Sequence, residues 1–444
     1  MSLIDFLREN AAAPTMRLHM PGHHGQGFAH LPMGFADWDI TEIDGADNFH
    51  APDGIIDRAQ KKLAAQNGFD VALLCTCGAT AALQAALLAL CPPGGRVLLP
   101  RTCHKSVIGG LVLCGGWPVW LAEALPTPEV LDAAIARETP AAVVLTSPLY
   151  TGELGDIIGW GRVCRERGVP LILDAAHGAH LLPGLCPPGT AAICDAGAAA
   201  YVVSCHKTLP APGQTALLCG GAEHAERLAA ALRLVHTTSP SYPLMAGAVG
   251  AYDWLFDHAA LLAPMWQACG EFWAAMAQMG LVAPVKPGQA GRDITRLTVF
   301  SADANGLNNA LRDKGFVGEG VVQGGSVYIA SAVDDPDTIR ALTQAVRELQ
   351  PAAGIFDEIP LTLPEAVLSP REAFFAPREW VPLAQALGRI AAASAGLYPP
   401  GVPLVMPGEQ VTVETAQQLR GVGAFGVVDG GVWVVCDGVT ESVL

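Results

Sequence analysis

Short apolar segments alternate with helical segments from Val71 to Cys219, and this alternation restricts the fold more than any other feature of the chain. The predicted strands are Val71–Cys75, Arg96–Pro100, Pro118–Leu121, Ala141–Thr146, Pro170–Asp174, Ala199–Ser204 and Gln214–Cys219. The predicted helices between them are Ala79–Leu90, Lys105–Leu113, Pro128–Arg137 and Ile158–Arg167. Such alternation is typical of βαβ units, so we predict an α/β fold with a mainly parallel seven-stranded sheet.

Segments outside this pattern predict a second, smaller α+β region after a linker at Pro284–Arg292. The N-terminal elements are a helix at Ser2–Ala12, a Gly/Pro/His-rich loop at Met16–Phe28, an acidic irregular segment at Asp37–Asn48 and a helix at Asp57–Asn67. Glu223–Gly280 reads as helical except at Thr237–Pro243. Beyond the linker we predict strands at Arg296–Phe300 and Ser326–Ala330, helices at Ala304–Lys314 and Asp337–Leu349, a helix with loops within Ser369–Pro400, and short strands within Val411–Leu444. These elements suggest an N-terminal segment (1–50), a large domain (51–285) and a smaller α+β region (286–444).

Composition limits the class of protein. The chain is 51% hydrophobic and 15% charged, which argues against disorder. The net charge of −16 disfavours nucleic acid and anionic membranes as partners. Met1–Asn10 lacks the apolar core of an export signal, so we expect a cytoplasmic protein whose twelve cysteines stay reduced. Val71–Cys91 is uncharged and long enough to span a membrane, but Thr76, Gly78 and Gln84 favour a strand, a loop and a helix.

Ligands of parallel sheets bind beyond the carboxyl ends of the strands, which here are Cys75, Pro100, Thr146, Asp174 and Ser204. Lys207 follows the last of these strands closely. Burial lowers the pKa of a lysine and frees its amine as a nucleophile, most often for a Schiff base with a carbonyl such as pyridoxal phosphate. The alternative is a lysine that reaches solvent from a strand end.

Three further features are compatible with this cofactor. A carboxylate at Asp174 could pair with the pyridine nitrogen, although an N-cap or loop aspartate is the alternative. The turn Thr76–Thr80 precedes a predicted helix and could bind a phosphate through its amides. His104 could stack on a flat ring and move protons, and Ser204 and His206 could donate to the phosphate.

The ordered motifs of the chain resemble those of the Orn/Lys/Arg decarboxylase family, over about Met20 to Glu409. The motifs are Met20–Gly25, Asp47–Asn48 with Pro52–Gly54, His104–Ser106, Ser147–Pro148 with Tyr150 and Gly152, Asp174–His180, Ser204–Leu209, Ser239–Tyr242, Ser369–Ala373, Tyr398–Gly401 and Pro407–Glu409. The length is similar to that of the compact members, which lack the N-terminal wing domain.

This resemblance implies a fold type I pyridoxal-phosphate enzyme, like aspartate aminotransferase, that decarboxylates arginine, lysine or ornithine to a polyamine-type amine. Residues 51–285 would bind the cofactor, and the site would lie at the interface of a homodimer or a larger homo-oligomer, with residues 1–50 and Tyr398–Glu409 shaping it. The implied catalytic residues are Lys207 as the Schiff-base lysine, Asp174 beside the pyridinium and His104 on the ring. The implied cofactor-binding residues also include Gly78, Ala79, Thr80, Ala176, His177, Ser204 and His206.

The chain departs from the family pattern at several positions. Ala175 stands where the family usually has a glutamate, Thr151 where a second tyrosine is frequent, and the turn Gly78–Thr80 has fewer hydroxyl groups. A lysine is also common in the family near the position of His24. These departures concern substrate identity, because the Schiff-base residues are intact.

A basic substrate would need an acid for its distal cation, and the candidates are Asp39, Glu42, Asp44 and Glu409.

Three alternative functions stay open. The chain could be another fold type I enzyme, such as an aminotransferase or a lyase, or a catalytically inactive homologue. It could also bind a metal through Cys75, Cys77, Cys103, His104, Cys205 and His206, although the Cys-x-Cys spacing is not that of a usual zinc site. We expect no metal.

Overall fold

A computed structural model describes residues 1–13, 34–322, 324–354, 366–398, 401–420 and 424–437. The predicted loop Met16–Phe28 therefore lies outside the described residues. The N-terminal elements are α1 (Leu3–Ala12), α2 (Phe35–Trp38) and α3 (Ile55–Asn67). Helix α1 begins with a capping box, in which the Ser2 hydroxyl accepts from the backbone N–H of Asp5. Helix α3 ends at Gly68, whose φ of 74° is the left-handed conformation that terminates helices.

The βαβ pattern forms the predicted seven-stranded sheet. In chain order the elements are β1 (Val71–Cys75), α4 (Gly78–Leu90), β2 (Arg96–Pro100), α5 (Lys105–Cys114), β3 (Trp117–Leu121), α6 (Pro128–Glu138), β4 (Ala142–Thr146), β5 (Glu153–Gly155), α7 (Ile157–Glu166), β6 (Leu171–Asp174), β7 (Ala200–Ser204) and β8 (Ala216–Gly220). The sheet order is β1-β8-β7-β6-β4-β2-β3. Strand β8 is antiparallel to both neighbours, and the other pairs are parallel.

Alternating side chains of the sheet enter two separate cores, as expected for a sheet with helices on both faces. Val143 and Leu145 of β4 pack in the core that also contains residues of α3, α6, α7 and α1. Val144 packs in the opposite core, with residues of α4 and α5. Because both faces are covered, the accessible part of the sheet is its edge at the strand ends, where the candidate residues lie.

Three helices and a smaller sheet follow. The elements are α8 (Ala225–Val235), α9 (Tyr242–Asp257), α10 (Leu262–Gln278), β9 (Gln289–Arg292), β10 (Arg296–Phe300), α11 (Ala304–Asp313), β11 (Gly320–Val322), β12 (Gly325–Ile329) and α12 (Pro336–Leu349). The second sheet has the order β10-β12-β11 and is antiparallel. Its apolar side chains, such as Leu297 and Val299, join the core that also covers the large sheet.

The C-terminal residues form their own small cores, which include Leu404, Val405 and Val434. Their elements are α13 (Pro370–Phe375), β13 (Arg378–Pro382), β14 (Ala395–Leu397), β15 (Val402–Val405), α14 (Val413–Leu419), β16 (Ala424–Phe425) and β17 (Gly431–Val435). The separate cores set only the C-terminal residues apart, since the second sheet shares the core of the large sheet. The division of the chain at 51–285 and 286–444 stays a prediction.

Five predictions of secondary structure need correction. The predicted linker at Pro284–Arg292 contains strand β9, which pairs with β5 of the large region. The helix predicted within Ser369–Pro400 covers only Pro370–Phe375, and two strands follow it. Val411–Leu444 contains helix α14 besides strands, and the acidic segment at Asp37–Asn48 begins within the short helix α2. A second interruption separates α9 from α10.

The uncharged stretch Val71–Cys91 divides into β1 and α4. No helix in the described part of the chain is long and apolar enough to cross a membrane. All twelve cysteines lie within the described ranges as free thiols.

Candidate active site

Lys207 and Asp174 lie at the carboxyl ends of two neighbouring strands of the large sheet. Lys207 ends a 3-10 turn, Cys205–Lys207, that directly follows β7. Asp174 ends β6, and it pairs with Val202 of the neighbouring strand β7. Burial lowers the pKa of Lys207, and the carboxylates of Asp174 and Glu319 oppose this shift. The amine is therefore more often neutral than an exposed lysine, as a nucleophile requires.

Asp174 is a buried carboxylate whose negative charge is not fully balanced by its neighbours. Its side chain is 5% exposed and accepts a hydrogen bond of 3.2 Å from the backbone N–H of Ala176. Burial raises its pKa in spite of the opposing influence of Lys207 and this hydrogen bond. A protonated pyridine nitrogen beside the carboxylate would supply the missing positive partner. This electrostatic deficit fits the predicted cofactor.

His177 connects Lys207 to the second sheet. Its Nε2 lies 3.2 Å from Nζ of Lys207, and its Nδ1 contacts Nη2 of Arg296. Burial lowers the pKa of His177 well below the usual value, and the cations of Arg296 and Lys207 lower it further. The ring is therefore neutral at neutral pH. The edge of the ring faces Tyr150, with the ring centroids 5.5 Å apart.

His104 is a neutral ring on the same site. It is the N-cap of α5, and its Nδ1 accepts a hydrogen bond of 3.2 Å from the backbone N–H of Ser106. Burial, followed by the charges of Lys207 and Lys105, lowers its pKa to about 4. Because Nδ1 accepts, the single proton of the neutral ring is on Nε2.

The turn between β1 and α4 is open to an anion. Gly78 has a φ of 78° and no atom within 4 Å of the place where a side chain would begin. No side chain in the described part of the molecule caps the first turn of α4. Helix N-termini with free amides are anion sites, so the turn fits a phosphate. The backbone N–H of Gly78 donates to the carbonyl of Gln214, in the loop that follows Lys207, at 2.9 Å.

Ser204 and His206 are joined to each other and to the backbone. Nδ1 of His206 lies 3.2 Å from the carbonyl oxygen of Thr215 and 3.3 Å from the Ser204 hydroxyl. A carbonyl only accepts, so Nδ1 donates, and the Nε2 of a neutral His206 is an acceptor. His206 can therefore donate to a phosphate through Nε2 only as an imidazolium. The Ser204 hydroxyl keeps its own hydrogen for donation.

The structure thus brings Asp174, His177 and His104 within reach of the charge of Lys207. Two other predicted parts of the site lie at the same edge of the sheet. They are Ala176, which follows β6 and is 8% exposed, and the Gly78–Thr80 turn at the start of α4. In the described part of the chain the cysteines and histidines of the metal hypothesis do not form a group of three metal-ligating side chains.

Two residues of the site were missed from sequence. Arg296 begins the buried strand β10 and is 0% exposed. Glu319 precedes β11, and its Oε1 accepts a hydrogen bond of 3.2 Å from the Tyr150 hydroxyl. An arginine at the start of an apolar strand was a usable signal for Arg296. Glu319 stands in a Gly-rich segment without any strong pattern.

Of the four acids proposed for a distal cation, Glu409 is already engaged. Its carboxylate is 1% exposed and binds the guanidinium of Arg101 at 2.7 and 2.8 Å. Glu42 accepts from the backbone N–H of Phe49 at 3.0 Å. Glu409 is therefore a structural residue, and the prediction of a distal role for it is wrong.

Comparison with known proteins identifies the family. The model of the Orn/Lys/Arg decarboxylase major domain matches residues 2–253, and that of the C-terminal domain matches 353–425. The chain is 27% identical to the uncharacterized protein YaaO of Bacillus subtilis, over 94% of this chain and 92% of that one. It is 26% identical to an arginine decarboxylase of the same organism, over 92% of this chain and 90% of that one.

Solved structures share the fold. The constitutive lysine decarboxylase of E. coli aligns with a TM-score of 0.77 at 19% identity, covering 98% of this chain and 82% of that one. A serine palmitoyltransferase of Sphingomonas wittichii aligns with a TM-score of 0.55 at 16% identity, covering 70% and 80%. With the type I fold and a major-domain match over more than half of its length, the chain belongs to the Orn/Lys/Arg decarboxylase family of pyridoxal-phosphate-dependent amino-acid decarboxylases.

Proposed function

We propose that this protein decarboxylates a basic amino acid, arginine, lysine or ornithine, to the corresponding amine and CO₂. The observation that carries the choice of a basic substrate is the position of Glu319. Its carboxylate is exposed, accepts from Tyr150 and interacts electrostatically with both Lys207 and Arg296. A carboxylate at this position is suited to bind the distal ammonium or guanidinium of a substrate.

The relatives give a first choice among the three substrates. Several relatives that match over nine-tenths of the chain are named arginine decarboxylase, at 26% identity. A guanidinium presents paired N–H donors to a carboxylate, whereas an ammonium acts as a point charge. Arginine is therefore the first substrate to test, and lysine and ornithine follow.

The residues of the site have distinct proposed roles. When it is bound, pyridoxal phosphate withdraws the electrons that CO₂ leaves behind at the α-carbon. Lys207 would hold the cofactor through its amine, and Asp174 would keep the pyridine nitrogen protonated. His104 would stack on the ring, Ala176 would pack on its other face, and His177 would contact its edge. Gly78, Ala79, Thr80, Ser204 and His206 hold the phosphate.

Two groups can return a proton to the α-carbon. His104 is neutral and carries its proton on Nε2, since Nδ1 accepts from Ser106. Lys207, once released, is an amine whose pKa burial has lowered, so it gains and loses a proton more readily than an exposed lysine. Substitution of His104 alone separates these roles, because Lys207 is also needed for attachment of the cofactor.

The proposal is tested by incubating the holoenzyme with carboxyl-labelled arginine, lysine, ornithine and the uncharged lysine analogue norleucine. We expect labelled CO₂ and the matching amine from at least one basic substrate and none from norleucine. Glu319→Gln should raise KM for that substrate by about 10- to 100-fold, the loss of one charge-assisted hydrogen bond. Glu348→Gln, which changes an exposed carboxylate paired with Lys314, is the control.

A keto acid without CO₂ would contradict decarboxylation and favour an aminotransferase. Equal turnover of norleucine and lysine would contradict the choice of a basic substrate. The homodimer, with its site at the subunit interface, and the cytoplasmic location stay predictions, which sedimentation and cell fractionation can test.

A further inference from the structure

Arg296 is a fully buried cation whose side chain reaches one ring of the active site. It begins β10, is 0% exposed and follows a turn in which its backbone N–H donates to the carbonyl of Asp293 at 3.2 Å. Its Nη2 contacts Nδ1 of His177. Its Nε and Nη1 have no hydrogen-bond partner in the described parts of the chain. Burying a guanidinium is costly, so a specific use of this contact is expected.

The hydrogens of this contact can be counted. A guanidinium has only donors, so Nδ1 of His177 must accept and cannot carry a proton. Burial together with the adjacent cations lowers the pKa of His177 well below the usual value, so the ring is neutral and has one N–H. That hydrogen is therefore on Nε2, which lies 3.2 Å from Nζ of Lys207.

The donor on Nε2 has a consequence for Lys207. An N–H directed at Nζ requires a lone pair there, which an ammonium does not have. The contact therefore selects the neutral amine. The charge of Arg296 acts in the same direction, since it lowers the pKa of Lys207.

We propose that Arg296 is a positioning residue that fixes His177 as its Nε2–H tautomer and thereby holds a hydrogen-bond donor on the amine nitrogen of Lys207. The catalytic meaning of this arrangement rests on Lys207 as the cofactor-binding lysine. The proposed tautomer of His177 does not depend on that role of Lys207. The other titratable groups that act on His177 are His104 and His180, and the edge of its ring meets Tyr150.

Three substitutions separate donor character from charge and volume. Arg296→Lys keeps a cation that can only donate. Arg296→Gln is neutral, and its amide oxygen can accept from Nδ1. Arg296→Met has neither a donor nor an acceptor of this strength. Arg312→Gln, which removes an exposed arginine of α11, is the control for the loss of one positive charge.

The direct readout is ¹⁵N NMR of the histidine-labelled protein with and without bound cofactor, because Lys207 has a free amine only in the cofactor-free form. The signals of His177 are identified by their absence in His177→Asn. We expect Nδ1 without a proton and Nε2 with one in the wild type and in Arg296→Lys. In Arg296→Gln and Arg296→Met the proton should redistribute between the nitrogens. A protonated Nδ1 in the wild type, or the same tautomer in all variants, would overturn the proposal.

A second readout is the pH midpoint of the absorbance of the cofactor bound to the enzyme. Loss of the Arg296 charge should raise this midpoint by about one pH unit in Arg296→Gln, while Arg296→Lys and Arg312→Gln keep the wild-type value. A purely electrostatic role would move the midpoint but leave the tautomer unchanged. If Arg296→Gln does not fold, the tautomer of His177 in Arg296→Met decides, and a protonated Nδ1 in the wild type still overturns the proposal.

Borohydride reduction of the same samples keeps the two proposals distinguishable. If the cofactor is trapped on another lysine while His177 shows the Nε2–H tautomer, the proposed function of Lys207 fails and the role of Arg296 in the tautomer stands. If the cofactor is trapped on Lys207 and Nδ1 of His177 is protonated, the proposed function of Lys207 stands and the role of Arg296 in the tautomer fails.

Discussion

Arg101 and Glu409 form a buried two-point ion pair, with Nη1–Oε1 and Nη2–Oε2 distances of 2.7 and 2.8 Å. The side chains are 2% and 1% exposed. Arg101 follows β2 of the large sheet, whereas Glu409 lies in the C-terminal region. Nη2 of Arg101 also donates to the carbonyl of Leu404, and Glu409 accepts from the N–H of Met406. The pair therefore fixes the C-terminal segment against the large sheet.

Removing one partner of this pair leaves the other charge buried without compensation. We expect Arg101→Met to lower the free energy of unfolding by about 3–5 kcal/mol. The double variant Arg101→Met/Glu409→Leu should lose less than the sum of the single losses, because it leaves no orphan charge. Urea unfolding measures all three. In the control Arg167→Met, the partner Asp132 is exposed, and the loss should stay below about 1 kcal/mol. Equal losses at the two arginines would contradict this account.

The same segment approaches His104 of the candidate site. The carbonyl of Gly401 accepts from the backbone N–H of Lys105, at 3.0 Å, and a side chain at Gly401 would lie 3.1 Å from Nε2 of His104. His104 is thereby partly shielded from water, and burial is the main cause of its pKa of about 4.

This burial of His104 predicts a pH dependence of stability. Its folded pKa lies below the usual unfolded value of about 6.5, so between these values the unfolded chain binds more protons, and stability falls as pH falls. From pH 7 to pH 5 the loss from this ring is about 2 kcal/mol. Between pH 7 and pH 5 the free energy of unfolding of His104→Asn should therefore fall by about 2 kcal/mol less than that of the wild type. Urea unfolding of the apoenzyme measures both. His258→Asn, at an exposed position, should behave as the wild type. A smaller loss in His258→Asn than in His104→Asn would contradict the assignment.

Two glycines within helices predict opposite effects of one added methyl group. In α7 a Cβ at Gly161 would lie 1.6 Å from the carbonyl oxygen of Ala196, so Gly161→Ala must displace backbone and lower stability by about 1–3 kcal/mol. In α10 a Cβ at Gly270 meets no atom within 4 Å, so Gly270→Ala should raise stability by up to about 1 kcal/mol, the difference in helix propensity. Thermal unfolding measures both. A gain in stability for Gly161→Ala would contradict the close packing of α7, and a loss for Gly270→Ala would contradict the open space beside α10.

Sequence reasoning was most successful where periodicity decided the structure. Asp174 and Ser204 were placed at one sheet edge because apolar runs and helical runs alternate before them, and parallel strands end at a common edge. Helix α14 was missed because it is short and half polar. Strand β9 was missed because it pairs with the three-residue strand β5, so neither strand needs an apolar alternation.

Arg296 and Glu319 could not be found in the same way. Each is more than 85 residues from Lys207 in sequence, and each reaches the site through the packing of the second sheet against the first, which no local pattern encodes. Ala175 was a named departure from the family pattern. It is fully buried.

The phosphate turn predicts a difference between two ligands. Thr80 lies in the first turn of α4 and, as proposed, donates to the phosphate. Thr80→Val should weaken binding of pyridoxal phosphate to the apoenzyme by about tenfold, the loss of one hydrogen bond to a charged group. Binding of pyridoxal, which lacks the phosphate, should not change. Fluorescence titration measures both affinities. Thr338→Val, in the first turn of α12, is the matched control. Equal weakening of both ligands would place the phosphate elsewhere.

The most direct test of the account is the identity of the lysine that holds the cofactor. The holoenzyme is reduced with borohydride, digested and mapped by mass spectrometry. The account predicts a pyridoxyl group on Lys207, and no such product from Lys207→Ala. The neighbouring Lys105, which interacts electrostatically with His104, provides the internal comparison. A pyridoxyl group on Lys105 or on any other lysine, with Lys207 unmodified, would contradict the account.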